Sequence, residues 1–368
     1  MKKILIVSRS FYPLISPRSF RTTELTKELA RQGHEVTVIT SFSKDINYSD
    51  LGKKLNITFK DLGLLKYKPL NLKGNKFFVL FKRLINRLAL MVFEFPDIQL
   101  MPKVVKSLNR EAGYDLLISI AAPYPIHWGV AWAINQKNLI AKTWVADCGD
   151  PYMLCKLDTF NKLFYFEYVE KWFFKKTDYI AIPFKGAKSA YYKEFHSKIK
   201  IIPQGFDLNE FKIPKHKFPN PTITFAYCGG FIVGKRDPSK FLNFLSKQSN
   251  DFKFVVYTKK KDILTPFLKK LGNKIEVRDY VPRQELISAI SRMDFLINFD
   301  NNVGEQLPSK LIDYAITQRP ILNITKNLEK ENILSFINGN YTSALKINNI
   351  KDYDIKNVAN KFVDLVQY

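Results

Sequence analysis

Two carboxylates eight positions apart, Glu305 and Asp313, stand where a loop, Gly304-Glu305-Gln306-Leu307-Pro308-Ser309, runs into a helical pattern. A loop carboxylate ahead of a helix and a second one inside it can both face a ligand lying over strand ends. Pro308 suits a first helical turn, and the free N–H groups there suit phosphate or sugar oxygens. The plainer reading keeps Glu305 as a complement to the helix dipole and Asp313 as a surface acid. Asp147 and Asp150 form a second pair, in Asp147-Cys-Gly-Asp150-Pro. At the C-terminal end of a strand they are expected to point into a cleft, where one of them could orient a reacting hydroxyl. An Asx turn before Pro151 is the alternative. His127 also follows a strand, as a further candidate for that cleft or as a packing residue.

The elements that would position these groups alternate. An apolar run from Ile4 to Ser8 precedes a helical pattern from about Ser19 to Gln32, which Gly33 closes before a strand from Glu35 to Thr40. A strand, helix and strand in that order imply a parallel sheet. Further strands are predicted at Leu116 to Ile120, Thr143 to Ala146 and Tyr179 to Ile182, with a helix from Phe160 to Lys175. After a Pro- and Lys-rich stretch from Lys212 to Pro221 the alternation restarts. Strands are expected at 222–227, 252–257, 274–278, 295–298 and 320–324. The intervening helices include 238–246, 283–291 and 308–317. The tail from Asp352 to Tyr368 reads as a last helix packing back on the first half. The fold class is therefore α/β with two Rossmann-like domains, residues 1–205 with 352–368, and residues 206–351.

With 46% hydrophobic and 25% charged residues the composition is that of a globular protein, and no apolar stretch approaches a membrane span. The short apolar run at the N-terminus reads as a buried strand rather than a signal peptide. Three cysteines without metal-ligand spacing suit a reducing compartment, so a cytoplasmic location is expected. The formal net charge is +24. The first 200 residues hold 33 Lys/Arg against 17 Asp/Glu, and the interval 66–93 has seven basic residues and no acidic one, interleaved with Phe77, Phe78, Leu80, Phe81, Leu84, Ile85, Leu88 and Met91. Such a segment can lie on an anionic bilayer, or it can turn its apolar side to the core.

Read whole, the chain resembles the retaining GT-B glycosyltransferases of family 4. Glu305 through Asp313 matches the Glu, seven residues, Glu-or-Asp donor motif, and Gln318-Arg-Pro-Ile-Leu stands where members read Gly-Lys-Pro-Val-Ile. Gly33-His-Glu-Val-Thr-Val-Ile-Thr and Ile201-Ile-Pro-Gln-Gly-Phe-Asp match two further stretches in order. The resemblance implies two facing Rossmann-like domains and transfer of a sugar, with retention, from a nucleotide-sugar donor to a glycan or lipid-linked glycan, as in bacterial polysaccharide assembly. It implies that Glu305 contacts the donor sugar or its developing charge, and that Asp313 binds the ribose. It also implies a basic pair on the phosphates after the first strand of the second domain, here Lys235 and Arg236 beside Gly229 and Gly230. The usual Arg directly after the glycine is absent. Tyr280 and Val281 are expected near the base. Where relatives carry a Gly-Gly loop, this chain has Ser16-Pro17-Arg18-Ser-Phe-Arg21, expected on the acceptor side.

No Asp-x-Asp lies on a strand end; Asp352-Tyr-Asp354 is in the tail. No cofactor and no essential divalent metal is therefore expected, with cations and helix dipoles taking the metal's place. The alternative to a transferase is a GT-B chain that binds a sugar nucleotide without transferring it; nucleic-acid binding is the rival reading of the charge, but the lysines are spread over both halves and no nucleic-acid module is recognisable. A peripheral position on the inner face of the cytoplasmic membrane is expected if 66–93 binds lipid.

Overall fold

The computed structural model describes residues 1–134, 139–154, 162–211, 213–214, 218–234, 236–300, 309–347 and 350–366. They fall into two compact units, Met1–Phe206 with Asp352–Tyr368, and Asp207–Lys351.

The first unit runs β1 (Lys3–Ser8), α1 (Pro17–Arg31), β2 (Glu35–Thr40), α2 (Tyr48–Leu55), β3 (Ile57–Asp61), α3 (Lys76–Phe93), α4 (Leu100–Leu108), β4 (Tyr114–Ala121), α5 (Pro125–Ala133), β5 (Ala141–Cys148), α6 (Tyr165–Lys176), β6 (Tyr179–Ile182) and β7 (Ile199–Ile201). Its seven strands pair in the order β3-β2-β1-β4-β5-β6-β7, all parallel. Strands buried on both faces are apolar throughout, as Ile4-Leu5-Ile6-Val7 is in β1. The chain order reverses between β1 and β4, so the C-terminal ends of these two strands bound the natural crevice of the sheet.

The second unit contains β8 (Thr224–Cys228), α7 (Ser239–Leu245), β9 (Lys253–Tyr257), α8 (Thr265–Leu271), β10 (Ile275–Arg278), α9 (Arg283–Ile290), β11 (Phe295–Phe299), α10 (Ser309–Thr317), β12 (Ile321–Ile324) and α11 (Lys330–Ile337). Five parallel strands pair as β10-β9-β8-β11-β12, with the reversal between β8 and β11. A stack of Phe225, Phe254 and Phe295 fills one side of this sheet.

The final helix, α12 (Ile355–Val363), belongs to the first unit, where Ile355, Val358, Ala359 and Phe362 join the cluster that contains α1 residues Leu25 and Leu29. Burial of Phe362 and Val358 is worth about 1.5–3 kcal/mol each. The chain crosses back against Gly205, where a Cβ would stand 2.5 Å from Ile355 Cδ1; Phe206 N–H donates to Tyr353 and Ile355 N–H to Phe206. The glycine of the Gln204-Gly205-Phe206 stretch is thus a close-approach residue.

α3 differs from every other long helix because none of its residues is buried, so its apolar side does not enter the core. Asn75 caps its start, accepting from Phe78 N–H at 3.0 Å. Asn86 exchanges two hydrogen bonds with the Leu70 backbone, and Lys82 Nζ donates to Lys73 O, so the preceding segment is held along it. No helix among the described residues is long and apolar enough to cross a membrane.

Candidate functional site

The crevice of the second sheet opens beyond Cys228 and Phe299. Gly229 has φ +141°, a conformation that L side chains rarely adopt, and its N–H donates to Tyr257 O. No described atom lies within 4 Å of where a Gly230 Cβ would stand. The chain then doubles back, Ile232 N–H donating to Arg236 O at 3.1 Å, which returns Arg236 toward the strand end. From the other side comes Lys310, in the first turn of α10, with its ammonium 4.6 Å above the Tyr227 ring. Neither Lys310 Nζ nor Arg236 Nε finds a hydrogen-bond partner among the described residues, although both are shut off from water. Burial, and then the neighbouring Arg236 charge, push the Lys310 ammonium down to about 7. Burial pushes the Tyr227 phenol up to about 12, against the pull of Arg236.

The buried Lys310 ammonium and the half-buried Arg236, with no hydrogen-bonded counter-charge on Nζ or Nε among the described residues, stand next to two glycines and a helix start and form an anion cradle. Sequence reasoning named Gly229, Gly230 and Arg236 for it and missed Lys310. The available signal was a lysine one turn into a helix whose loop already carried Glu305. Of the other donor-side candidates, Lys235, Gly304, Glu305, Gln306, Leu307 and Pro308 lie outside the described residues, as does the side chain of Ser309.

Asp313, on the same helix as Lys310, accepts from both Nε and a terminal nitrogen of Arg283, at 2.8 and 2.5 Å, both on Oδ1. Burial raises its carboxyl above the usual range, and Arg283 opposes the rise. This places Asp313 in a partly buried ion pair rather than on an open surface. Its partner was not anticipated. Beyond β10, Tyr280 is 63% exposed with Lys259 Nζ 4.9 Å over its ring, while Val281 packs on the sheet's second hydrophobic cluster. Gln318 takes φ +57°, the left-handed conformation that glycine adopts readily.

The first unit has its own crevice, a cavity of about 520 Å³ at the ends of β1 and β4. Arg9, Ser16, Arg18, Tyr124 and Asp150 line it together with Glu94, Asp97, Tyr152 and Lys162. Ser16 caps α1 by accepting from Ser19 N–H, and Pro17 fills the first helical position, so this turn fixes where Arg18 emerges. Arg18 pairs with Asp150 at 3.5 Å, lying so close over Gly149 that a Cβ there would meet its guanidinium at 1.7 Å. Arg9 pairs with Asp97 at 2.5 Å. Glu94, at the left-handed C-cap of α3, accepts from Tyr152 and from Lys162. Arg9, Glu94, Asp97 and Lys162 were not foreseen, because the cavity assembles them from segments 88 residues apart in sequence, as in the Arg9 and Asp97 pair.

Three residues differ from expectation here. Asp147 does not line the cleft; it is 2% exposed, and its two oxygens accept from Arg21 Nε and from a terminal nitrogen at 2.8 and 3.2 Å. Arg21, expected on the acceptor side, is equally buried and spends its remaining donors on the Pro203 and Ile202 carbonyls, with Phe362 beneath its plane. The alternation of strand side chains decides this: Asp147 shares with Val145 the face covered by α1, opposite to Ala146. His127 is wholly buried inside α5, with Nδ1 2.7 Å from Ser119 Oγ and Nε2 3.6 Å from Cys148 Sγ; burial holds its imidazole down at about 3. Both ring nitrogens are thus engaged within the core.

No protein-family model matches the chain, and no curated protein matches it in sequence. Solved structures do match in shape. HepE of Anabaena, in complex with UDP and glucose, aligns over 99% of both chains at 12% identity and a TM-score of 0.58. TarM of S. aureus, in complex with Fondaparinux, alpha-GlcNAc-glycerol and UDP, aligns over 100% of both at 12% identity and 0.60. WaaG, a glycosyltransferase involved in lipopolysaccharide biosynthesis, aligns over 99% of both at 11% identity and 0.52. The chain has the two-domain GT-B fold of these glycosyltransferases.

Proposed function

We propose that the protein is a retaining, metal-independent glycosyltransferase that moves a sugar from a nucleotide-sugar donor to a glycan or lipid-linked glycan in bacterial polysaccharide biosynthesis. The observation that carries this reading is the buried Lys310 ammonium with the half-buried Arg236, whose Nζ and Nε lack partners among the described residues, beside Gly229 and Gly230 at the reversal point of the second sheet. A nucleoside diphosphate supplies the missing negative charge, and fixed cations stabilise the charge it gains as the glycosidic bond breaks. The likeness to HepE, a protein seen with UDP and with UDP-glucose, supports a nucleotide sugar as the ligand. In this reading Glu305 serves the donor sugar, Asp313 the ribose, and Tyr280 with Val281 the base, while Asp150 in the first-unit cleft orients the acceptor hydroxyl. A thermal-shift panel of UDP-, GDP-, ADP- and dTDP-sugars tests it. A true donor at 100 times its dissociation constant stabilises by about 2.7 kcal/mol, which Glu305→Gln and Asp313→Asn should diminish along with turnover. A panel without any shift, or variants indistinguishable from the parent, overturns the assignment.

The reading places the protein on the cytoplasmic side of an anionic membrane through residues 66–93. α3 exposes Phe77, Leu80, Phe81 and Leu84, and no acidic residue interrupts its lysines and arginines. Each basic residue near the lipid surface contributes roughly 1 kcal/mol. Flotation with phosphatidylglycerol vesicles at low salt is expected, and Lys82→Glu with Arg83→Glu is expected to abolish it; binding equally to neutral vesicles would contradict the electrostatic part.

A further inference from the structure

Where α3 ends, its last turn meets α4, α5 and α6 around an apolar groove of about 740 Å³. Phe93, Met101, Trp128, Trp132, Tyr168 and Trp172 form most of its wall. Three of these stand largely in water: Phe93 at 65% exposure, Trp132 at 63% and Tyr168 at 71%. An aromatic surface of this size is unusual on a protein that meets only water. Trp and Tyr are the residues that settle at the headgroup level of a bilayer. The groove is continuous with the exposed apolar and cationic helix α3, through Val92 and Phe93.

The same stretch of chain also walls the polar cleft. Val92, Phe93 and Ile98 face the groove, whereas Glu94 and Asp97 face the cleft. Tyr152 lines the cleft with its hydroxyl bonded to Glu94, and its ring packs edge-on against Trp128 and Phe166 of the groove, both at 5.7 Å between centroids. A single aromatic layer thus divides a charged cavity from a greasy one. That juxtaposition fits an amphiphile, with a polar head on one side and a hydrocarbon chain on the other.

We infer that the groove holds the hydrocarbon chain of a membrane lipid, so that the acceptor is a lipid-linked molecule presented head-first to the cleft. This rests on the membrane reading of α3 and specifies which acceptor class the first unit takes. The charge of α3 favours an anionic headgroup at the surface, and the groove lining is nearly wholly apolar, which suits a hydrocarbon chain better than a polar or peptide ligand.

The tryptophans provide the test. Trp132 and Trp172 line the groove toward solvent, Trp128 lines it from beneath, and Trp144, the fourth, lies in the core away from it. Vesicles of phosphatidylglycerol with brominated acyl chains should quench the emission of the intact protein strongly. Val169→Arg, which places a charge in the groove wall, and Tyr168→Arg, at its exposed rim, should each reduce quenching several-fold while flotation through α3 persists. Two variants are needed because Val169 is partly packed, whereas Tyr168 is exposed enough to change without loss of fold. Flotation without quenching overturns the inference, as do quenching unchanged in both variants and absence of vesicle binding at low salt. A lipid-free, concentration-dependent dimer that hides the groove also overturns it, since a second copy would then be the occupant. No sugar nucleotide enters the assay, so failure of the donor panel and failure of this experiment are separate results.

Discussion

Lys310→Met should weaken binding of a nucleoside diphosphate about 10- to 100-fold, as expected for a charge-assisted hydrogen bond of roughly 1.5–3 kcal/mol, and should stabilise the ligand-free protein. Both effects follow from one buried ammonium that has Tyr227 below it, Arg236 beside it and no hydrogen-bond partner among the described residues. Its folded pKa of about 7 lies below the ordinary lysine value of about 10.4, so the unfolded chain holds the extra proton between those two values. The cost to stability is therefore fully present below about pH 7 and fades as pH rises toward 10. Removing the charge should raise unfolding free energy at neutral pH by about 1–4 kcal/mol, the range seen when buried charges give way to apolar groups. A diphosphate restores the ammonium's reason to be charged, so binding at pH 8 should take up close to one proton. Titration calorimetry in two buffers of different ionisation enthalpy measures this, and Lys310→Met should show no such uptake. Unchanged affinity together with unchanged proton uptake would remove Lys310 from the phosphate site.

Arg21→Met is expected to have the largest effect on folding. Its guanidinium joins α1 to Asp147 at the end of β5, to the Ile202 and Pro203 carbonyls beyond β7, and to Phe362 of α12. Asp147 would be left as an unpaired carboxylate in a site from which water is excluded, at a cost of about 3–5 kcal/mol. For a unit of this size that corresponds to a fall in melting temperature of roughly 10 °C. The double variant Arg21→Met with Asp147→Leu should recover most of the loss, because the cost lies in the orphaned partner rather than in the pair. Denaturant unfolding of the two variants decides it; equal destabilisation by single and double variants would show that packing against Phe362 dominates.

The strands were legible because a parallel sheet buried on both faces favours apolar and β-branched runs, and Ile4 to Val7, Val36 to Thr40 and Tyr179 to Ile182 supply them. α2, α4, α5, α11 and the short strands β3 and β7 were not read out. β3 carries Thr, Lys and Asp at the sheet edge, and α5 is so thoroughly buried that its apolar residues surround it and show no period. The candidate site was legible in part for a different reason. Glycines beyond a strand end announce themselves locally, as Gly229 and Gly230 did, whereas Asp147, Arg21 and His127 are drawn into the core. Their burial depends on which face of β5 α1 covers and on how α5 packs.

Composition and pattern alone determined that this chain forms two Rossmann-like α/β units, that it is strongly basic, and that residues 66–93 concentrate charge with aromatic side chains. Those properties are local or additive, and a linear string carries them. Only the tertiary structure decided that Lys310 joins Arg236, that Asp147 is consumed by Arg21, and that α3 leaves the core and ends between a charged cleft and an apolar groove. Each of these is a meeting of side chains tens to more than a hundred positions apart. Such meetings are set by sheet order and helix packing, and no spacing along the chain encodes them.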